Sequence, residues 1–474
     1  MSGPGSAEPG KGRGSASLVR GLSALDGALL TVGSVIGTGI FITSADVARV
    51  LPHAGLVLLV WAVGGILTMA GALTYAELGA LFPRAGGMYC YLKEAYGTLW
   101  GFLYGWTCFL VIMSGGIAAL AVAFGVYLGS FVPFFATTNV LLAVPLPGWT
   151  WTLSGGQVAA VLAILALTAI NHAGLRQGVA TQNLLTWLRI GSIVAFAALG
   201  FLAPARAEIA VGLPLPSSGL LAAFGVAMIA VLWTYDGWYG LTFSAGEMKD
   251  PRRGLPLGLI AGTLAILVLY MLMNLVYLRA LTLPEMAATP RIGETAAAAL
   301  FGPVGARVVS AAVLVSTFGC LSASILYSSR IYLPMAEDGV FFRGLAAVHP
   351  VHRTPHRSLW AQSLWAVLLT VSGTYEQLYT YVIFAAVLFH VATGAAVFVL
   401  RRTRPDAPRP YRVWGYPVVP GLFLLASIVL VVNTLVERPV ESLWGLALVA
   451  AGLPAYALWR RAAEKETADA GSKA

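Results

Sequence analysis

Charged residues, cysteines and enzyme motifs are all scarce in this 474-residue chain. Only 10% of the residues are charged, and Cys90, Cys108 and Cys320 lie in or beside apolar segments. Such a low charge content excludes an ordinary water-soluble globule, and the cysteine positions give no sign of a disulfide framework. The absence of His-Glu-x-x-His, P-loop and Gly-x-Ser-x-Gly motifs argues against an intramembrane protease, an ATP-driven pump and a hydrolase. We therefore expect neither an enzyme nor a cofactor.

Long apolar segments are what the chain has in abundance. Hydrophobic residues make up 58% of it, and the mean hydropathy is +0.81. A helix of about 20 apolar residues crosses the hydrocarbon core of a bilayer. The sequence therefore predicts an all-α polytopic membrane protein with twelve transmembrane spans, numbered in chain order at residues 25–50, 55–82, 98–131, 154–172, 179–203, 218–246, 255–281, 304–334, 358–375, 378–400, 414–436 and 441–459.

The basic residues lie mainly in the short connections between these spans, so the net charge of +9 does not indicate a nucleic-acid partner. With the N-terminus in the cytoplasm, 22 of the 29 lysines and arginines fall in inner segments and 6 in outer ones. The positive-inside rule then predicts a multi-pass protein of the plasma (inner) membrane with both termini cytoplasmic. Residues 1–20 are expected to be a disordered tail, and residues 462–474 a second cytoplasmic tail.

Span one contains a glycine-rich interruption at residues 33–41. The 19 residues from 27 to 45 carry no charge and would make about 28 Å of helix. Gly33, Gly37 and Gly39 are nevertheless each less favourable in a helix than alanine by about 1 kcal/mol. We predict two half-helices joined by unwound backbone, whose free N–H groups near Thr38 and Gly39 attract a carboxylate. The alternative is a continuous helix whose glycines allow close helix packing.

Span six contains a second interruption at residues 232–240, with Asp236 in the middle of the span. A carboxylate there costs about 2.5–3.5 kcal/mol on insertion scales and is by default a functional candidate. Span six follows span one by five crossings, so a second five-helix unit would be inserted upside down. We predict inverted repeats at residues 21–203 and 218–402 with broken helices one and six, followed by two further helices within residues 403–461.

Several segments together resemble the amino acid–polyamine–organocation superfamily, and its L-type amino acid transporter branch in particular. The resemblance implies five-plus-five inverted repeats with two extra helices, and an α-amino acid site that is open alternately to the two sides of the membrane. It covers roughly residues 20–400. The segments that carry it are residues 33–41, 61–65, 75–79, 83–97, 235–238 and 247–256.

The resemblance also implies which residues contact the substrate. Its carboxylate would meet the glycine-rich break, and its amino group would meet backbone carbonyls. Trp233 matches an aromatic gate that covers the substrate, and aromatic residues beside the second break are either pocket walls or packed core. The candidates are Gly37, Thr38 and Gly39 for the carboxylate, Val35, Ile36, Trp233 and Asp236 for the amino group, and Tyr235, Gly237 and Trp238 around the second break.

Arg189 stands where the fifth helix of relatives usually carries a lysine. The resemblance implies that this cation lies between spans one, five and eight, near the sodium position of sodium-coupled relatives. A guanidinium there would repel sodium and would not release its proton. We expect a structural lock held by span-one carbonyls and span-eight serines, including Ser322, which stands where many relatives have asparagine. The alternative is an arginine that snorkels to the inner interface.

Two other groups of ionisable residues need an interpretation. Glu77, near the inner end of span two, is a candidate for tying down an inner gate. His349, His352 and His356 have a spacing that superficially suits a metal, but they lack a carboxylate or thiol partner and lie beside arginines, which favours a solvated loop without metal. His172 and His390 are expected to be packed and hydrogen-bonded.

These observations predict a sodium-independent uniporter or exchanger of neutral L-amino acids, with cationic amino acids left open. No cysteine occurs in residues 132–153, where relatives that pair with a glycoprotein have one, so we expect no disulfide-linked partner. Three alternatives remain: a proton-coupled symporter using Asp236 or Glu77, a polyamine or amine carrier, and a non-transporting sensor.

Overall fold

The computed structural model describes residues 18–146, 149–207, 219–372, 375–437 and 439–471, and most of them are helical. Ten helices in this part of the chain are long and apolar enough to cross a membrane. The predicted all-α, multi-pass membrane fold is therefore confirmed. The count of twelve spans and the division into inverted repeats stay predictions. Residues 1–17 and 472–474 of the predicted tails lie outside the described residues.

The first five predicted spans and the connections between them comprise eight α-helices and one hairpin. Span one is divided into two helices, and span three contains a π-helical segment, Cys108–Ile112, between two α-helices. The elements are α1 (Ala24–Val35), α2 (Thr43–Val50), α3 (Ala54–Leu81), α4 (Met88–Tyr96), α5 (Thr98–Thr107), α6 (Met113–Phe131), β1 (Val140–Leu146), β2 (Trp149–Ser154), α7 (Gly155–His172) and α8 (Leu175–Leu202).

The remaining spans begin with the second divided helix, whose second part is a 3-10 helix, Trp238–Glu247. The 46-residue α12 includes a kink at Gly302, where φ is +69°, so predicted span eight begins just after the kink. The elements are α9 (Leu220–Tyr235), α10 (Pro251–Ala280), α11 (Leu283–Ala288), α12 (Ile292–Glu337), α13 (His356–Ser372), α14 (Tyr375–Thr403), α15 (Val418–Glu437), α16 (Pro439–Ala450) and α17 (Gly452–Gly471).

Local capping explains where α1 begins. Ser23 accepts a hydrogen bond from the backbone N–H of Asp26, and the Asp26 carboxylate accepts one from the backbone N–H of Ser23. This reciprocal pair satisfies two of the N–H groups that a helix start leaves free. The side chain of Asn183 in α8 donates to the same carboxylate at 2.6 Å. The start of span one is thereby fixed to span five.

The connection between spans three and four departs from the helical pattern. β1 and β2 form an antiparallel hairpin, which the sequence analysis did not predict. The indole nitrogen of Trp151 donates to the carbonyl oxygen of Val371 at 2.9 Å, which fixes the hairpin to the end of α13. No charged residue occurs between Glu94 and Arg176, so this connection is uncharged throughout.

The two divided helices pack against each other in an antiparallel arrangement. α1 contacts the 3-10 helix that follows the second break, and α2 contacts α9. α1 also packs on α8, α10 and α12, so spans five, seven and eight surround it. The two interruptions consequently meet in the interior of the bundle.

Candidate functional site

Span one unwinds immediately after Val35. Ile36 adopts an extended conformation, Gly37 and Thr38 lie in a bend outside any helix, and a short 3-10 turn runs from Gly39. Within the described residues, the backbone N–H groups of Gly37, Thr38 and Gly39 have no hydrogen-bond acceptor. Free N–H groups at a helix start are a binding site for an anion. The break therefore offers the hydrogen-bond donors that the sequence predicts for a substrate carboxylate.

Span six breaks at Asp236 and Gly237. Gly237 has a φ of +99°, a conformation that other residues rarely adopt. A Cβ atom on Gly237 would lie 2.6 Å from the carbonyl oxygen of Ser34 in span one. Glycine is therefore required here both for the backbone turn and for the close approach of the two breaks.

Ser34 and Tyr270 connect the two breaks. The hydroxyl oxygen of Ser34 is 2.9 Å from the carbonyl oxygen of Gly237, and also 2.9 Å from that of Thr31 in its own helix. The hydroxyl of Tyr270 in α10 lies 3.3 Å from the carbonyl oxygen of Val35 and 3.1 Å from that of Thr234. Each hydroxyl has one proton, so a change in either break can redirect its hydrogen bond.

Other side chains donate to the carbonyls that the first break leaves free. Arg189 Nη1 lies 2.7 Å from the carbonyl oxygen of Gly33 and 2.6 Å from that of Ile36. Ser316 Oγ lies 3.1 Å from the oxygen of Ile36 and 3.2 Å from that of Gly37. The predicted amino-group acceptors Val35 and Ile36 thus already have protein donors.

The second break offers a less occupied acceptor for an amino group. The carbonyl oxygen of Trp233 accepts from the backbone N–H of Asp236 at 3.0 Å, whereas the carbonyl oxygen of Asp236 has no donor among the described residues. A helix C-terminus directs carbonyl dipoles outward and favours a cation. Of the predicted acceptors, the Asp236 carbonyl is the most available to an ammonium group.

Arg189 is almost completely buried, with 1% of its surface exposed. Its guanidinium lies against span one, and it does not snorkel to an interface. Ser322 differs from the prediction: its buried hydroxyl has no hydrogen-bond partner in the described part of the chain. Ser316 is the span-eight serine that contacts the carbonyl oxygens of span one. A helix turns by about 100° per residue, so Ser322 points about 120° away from Ser316.

The glycines of span one do not share one role. A Cβ on Gly33 would overlap the amide group of Gln182, and one on Gly39 would lie 2.7 Å from Cγ2 of Thr234. At Gly37, the nearest atom would be Sγ of Cys320 at 3.5 Å, an ordinary contact. Close packing therefore explains Gly33 and Gly39, whereas sterics do not require glycine at Gly37.

Tyr235 is a core residue. It is fully buried, and its hydroxyl donates to the carbonyl oxygen of Trp61 in α3 at 3.2 Å. Its ring also lies near those of Trp61 and Tyr270. In this structure the ring of Tyr235 faces α3, and a substrate contact at Tyr235 stays a prediction.

Asp236, Trp233 and Trp238 line a cavity between α3, α9, α14 and α15. The Asp236 carboxylate is 3.8 Å from Nε2 of His390, whose Nδ1 lies 2.7 Å from the hydroxyl of Tyr75. Residues 35–39 are absent from the described lining, so this cavity lies beside the second break and does not extend to the first.

Glu77 forms a dense ion-pair network. Its carboxylate accepts two hydrogen bonds from Arg401 at 2.9 and 2.7 Å and one from the backbone N–H of Val413 at 2.7 Å. Arg409 lies 3.5 Å away. Glu77 thus fixes α3 to the end of α14 and to the segment before α15. It is a structural anchor between spans two, ten and eleven.

Four histidines, including His172 from the end of α7, lie together. Ligand atoms of His172, His349 and His352 lie within 4.8 Å of one another, and His356 is adjacent. Nδ1 of His349 accepts from two backbone N–H groups, and Nδ1 of His172 accepts from the indole of Trp360. An imidazole whose Nδ1 accepts such a hydrogen bond carries a proton on Nε2, so neither of its nitrogens has a lone pair left for a metal. The hydrogen bonds argue against a metal site despite the proximity.

Sequence reasoning missed Ser34, Tyr270 and His390 as members of the two breaks, and it named the span-eight serines without singling out Ser316. Ser34 lies inside the glycine-rich segment, so its position was a usable signal. The others lie in spans seven, eight and ten, and only the tertiary contacts identify them.

Comparison with known proteins identifies the family. A family model described as amino acid permease matches residues 22–455. The serine/threonine exchanger SteT of Bacillus subtilis (strain 168) is 33% identical over 433 residues, or 90% of this chain and 94% of that protein. Large neutral amino acids transporter small subunit 2 of Mus musculus is 31% identical over 460 residues, covering 95% and 83% of the two chains. The b(0,+)-type amino acid transporter 1 of Mus musculus is 28% identical over 446 residues, covering 94% and 88%. The chain therefore belongs to the amino acid permease family of the amino acid–polyamine–organocation superfamily.

Proposed function

We propose that this permease carries L-amino acids across the membrane by exchange or uniport, with alternating access to a site between the two helix breaks. The observation that carries the proposal is the pairing of free N–H groups at Gly37, Thr38 and Gly39 with an available carbonyl at Asp236. These groups complement the carboxylate and the ammonium of a zwitterion. The similarity to amino acid transporters and an exchanger supports a transporter and not an enzyme.

Neutral amino acids are the proposed substrates, and the carboxylate of Asp236 keeps cationic ones as an alternative. Counterflow into liposomes containing purified protein, screened with the twenty amino acids and putrescine, tests this directly. We expect accumulation driven by at least one neutral L-amino acid and weak competition by putrescine. Stronger competition by putrescine than by every amino acid would establish an amine carrier instead, and substrate binding without counterflow would establish a sensor.

We also propose that transport does not require sodium. The guanidinium of Arg189 donates to carbonyl oxygens of Gly33 and Ile36, where it competes with any cation for the same ligands. Uptake measured with sodium and with N-methylglucamine at equal ionic strength should be the same. A saturable sodium requirement would overturn this part of the proposal.

Proton coupling is a second candidate, and Asp236 is its best carrier. The side chain is partly exposed and lies 3.8 Å from His390 Nε2, whereas both oxygens of the buried Glu77 accept hydrogen bonds from Arg401. Acid-stimulated uptake that Asp236→Asn abolishes would favour a symporter. Uptake that is independent of an imposed pH gradient would favour exchange or uniport.

Both termini are proposed to be cytoplasmic, in line with the distribution of lysine and arginine. A single-chain carrier is also proposed. The three cysteines are buried, and none lies in residues 132–153 for a disulfide to a partner subunit.

A further inference from the structure

The end of α14 and the connection to α15 are rich in arginine. Residues 401–412 contain five arginines and one carboxylate. Arg401 and Arg409 both pair with Glu77 of α3. Arg404 pairs with a glutamate of α4 at 2.7 Å. Three of the five arginines therefore have an acidic partner elsewhere in the protein.

The other two arginines, Arg402 and Arg412, are exposed. In the described part of the chain, neither forms an ion pair or a side-chain hydrogen bond. The exposed Asp406 lies between them in the sequence but is not within ion-pair distance of either. Both guanidinium groups are thus available to an anion from outside the protein.

The backbone that presents these two arginines is held in place from within. Nη2 of Arg409 donates to the carbonyl oxygens of Leu400 and Arg404, at 2.9 Å in each case. The guanidinium carbon of Arg401 lies 3.7 Å from the centre of the Tyr416 ring. A segment that is already ordered loses little conformational entropy when it binds a ligand.

The arginine-rich segment lies where the chain leaves and re-enters a membrane. It joins two helical stretches that are long and apolar enough to span a bilayer, residues 384–403 and 418–436. Trp414 is 77% exposed and lies shortly before the second of these stretches. Tryptophan is enriched at the level of the lipid headgroups. An exposed indole beside exposed arginines therefore indicates contact with lipid headgroups.

An apolar surface of α15 begins beside this segment. Val418, Leu422, Leu425 and Val429 are each more than half exposed. Their spacing of four, three and four residues places them on one face of the helix. This face starts four residues after Trp414, so it offers a path for a hydrocarbon chain directly next to the two available arginines.

We propose that Arg402, Arg412 and Trp414 bind the headgroup of an anionic phospholipid, with an acyl chain along the exposed face of α15. The planar guanidinium group suits a phosphate because it donates two parallel hydrogen bonds. A free phosphate ion would leave Trp414 and the apolar face uncovered, and a symmetric contact with a second copy of the chain would bring like charges together. The inference depends on neither the proposed substrate nor the proposed orientation.

Lipid titration of the full-length protein in non-ionic detergent, followed by native mass spectrometry, tests this site. The probes are phosphatidylglycerol and phosphatidylcholine with the same acyl chains. We expect the first bound phosphatidylglycerol to have a dissociation constant about tenfold or more below that of phosphatidylcholine. Equal affinity for the two lipids would overturn the proposal.

Paired variants locate the binding. Arg402→Gln combined with Arg412→Gln should weaken phosphatidylglycerol binding about tenfold or more. The matched control is Arg252→Gln combined with Arg253→Gln, which removes two exposed arginines at the start of α10 and should not change the affinity. Equal losses in the two pairs would mean that the lipid responds to overall charge, and would overturn the proposal. If the first pair failed to fold, unchanged affinity in Arg412→Gln alone would also overturn it.

Two further measurements separate the other occupants of this surface. Phosphatidylglycerol should raise the melting temperature, whereas sodium phosphate should not do so beyond sodium chloride of equal ionic strength. An equal rise with phosphate that is lost in the Arg402→Gln and Arg412→Gln pair would indicate a site for free anions and contradict a lipid site. A dimer in the mass spectra that this pair dissociates would assign the surface to a second copy instead.

Discussion

The carbonyl groups that span one exposes where it unwinds receive donors from three other spans. Arg189, Tyr270 and Ser316 lie in spans five, seven and eight, and each is within 3.3 Å of at least one of these oxygens. An unpaired buried carbonyl costs about 1–3 kcal/mol. The unwound conformation is thus held by side chains, and the N–H groups on its other side remain available.

Arg189 should behave as a structural donor. Arg189→Ala leaves the Gly33 carbonyl without its donor, so we expect a lower melting temperature and at least tenfold slower counterflow. Arg189→Lys supplies one ammonium to the same oxygens and should retain a working carrier. The counterflow rate and the melting temperature of both variants test this role. An Arg189→Ala variant with the counterflow rate and melting temperature of wild type would disprove the structural lock.

A side chain at Gly39 should lower the stability of the protein through its contact with Thr234, in addition to any effect on substrate binding. A methyl group at Gly39 would lie 2.7 Å from Cγ2 of Thr234, so Gly39→Ala should lower the melting temperature by several degrees. Adding Thr234→Ser removes that carbon and should restore part of the stability. Gly37→Ala is the control, because its methyl group meets nothing closer than 3.5 Å. Equal melting temperatures for Gly39→Ala and Gly37→Ala would contradict the packing role.

At the scale of elements, the helices fall into those that carry the breaks and those that are anchored to one another. Ser34 and Tyr270 connect span one to span six through hydroxyl groups that can change acceptor. Glu77 instead connects α3 to α14 and the segment before α15 by several short contacts. The first set of contacts is suited to rearrangement and the second to rigidity.

Glu77→Gln should destabilise the protein without changing the pH dependence of uptake. Removing one partner from a buried ion pair costs about 3–5 kcal/mol, because Arg401 and Arg409 lose their counter-charge. Asp406→Asn, an exposed carboxylate of the same connection, is the matched control and should have little effect on the melting temperature. A Glu77→Gln variant of wild-type stability that has lost acid-stimulated uptake would identify Glu77 as a proton carrier.

The histidine cluster should make the junction of α7 and α13 sensitive to acid. Burial, reinforced by His349, lowers the pKa of His356 below its usual value of 6.5. A lowered pKa means that the folded state resists protonation, so the contribution to stability is present above pH 6.5 and is lost as the pH falls below it. The melting temperature should fall more steeply between pH 7 and pH 5.5 in wild type than in His356→Gln. Parallel pH curves for the two proteins would rule out this contribution.

At the scale of the whole molecule, the sequence was sufficient to predict the helical membrane fold and the two interruptions. Gly33, Gly37 and Asp236 disfavour a continuous helix locally, so the breaks could be predicted from neighbours in the chain. The donors to the freed carbonyls could not be predicted in this way, because Ser316 and Tyr270 are more than 200 residues away from span one in the sequence. The same reason explains why the prediction of span-eight serines did not single out Ser316, and why His172 was not placed with His349.

The central claim is that backbone groups at the two breaks bind both charged ends of an amino acid. Competition for counterflow by the best substrate, its methyl ester and its analogue with hydroxyl in place of the amino group tests it most directly. Each analogue loses one charged hydrogen-bonding end, worth about 1.5–3 kcal/mol, so we predict at least tenfold weaker competition by both. Either analogue competing as well as the amino acid would contradict the account.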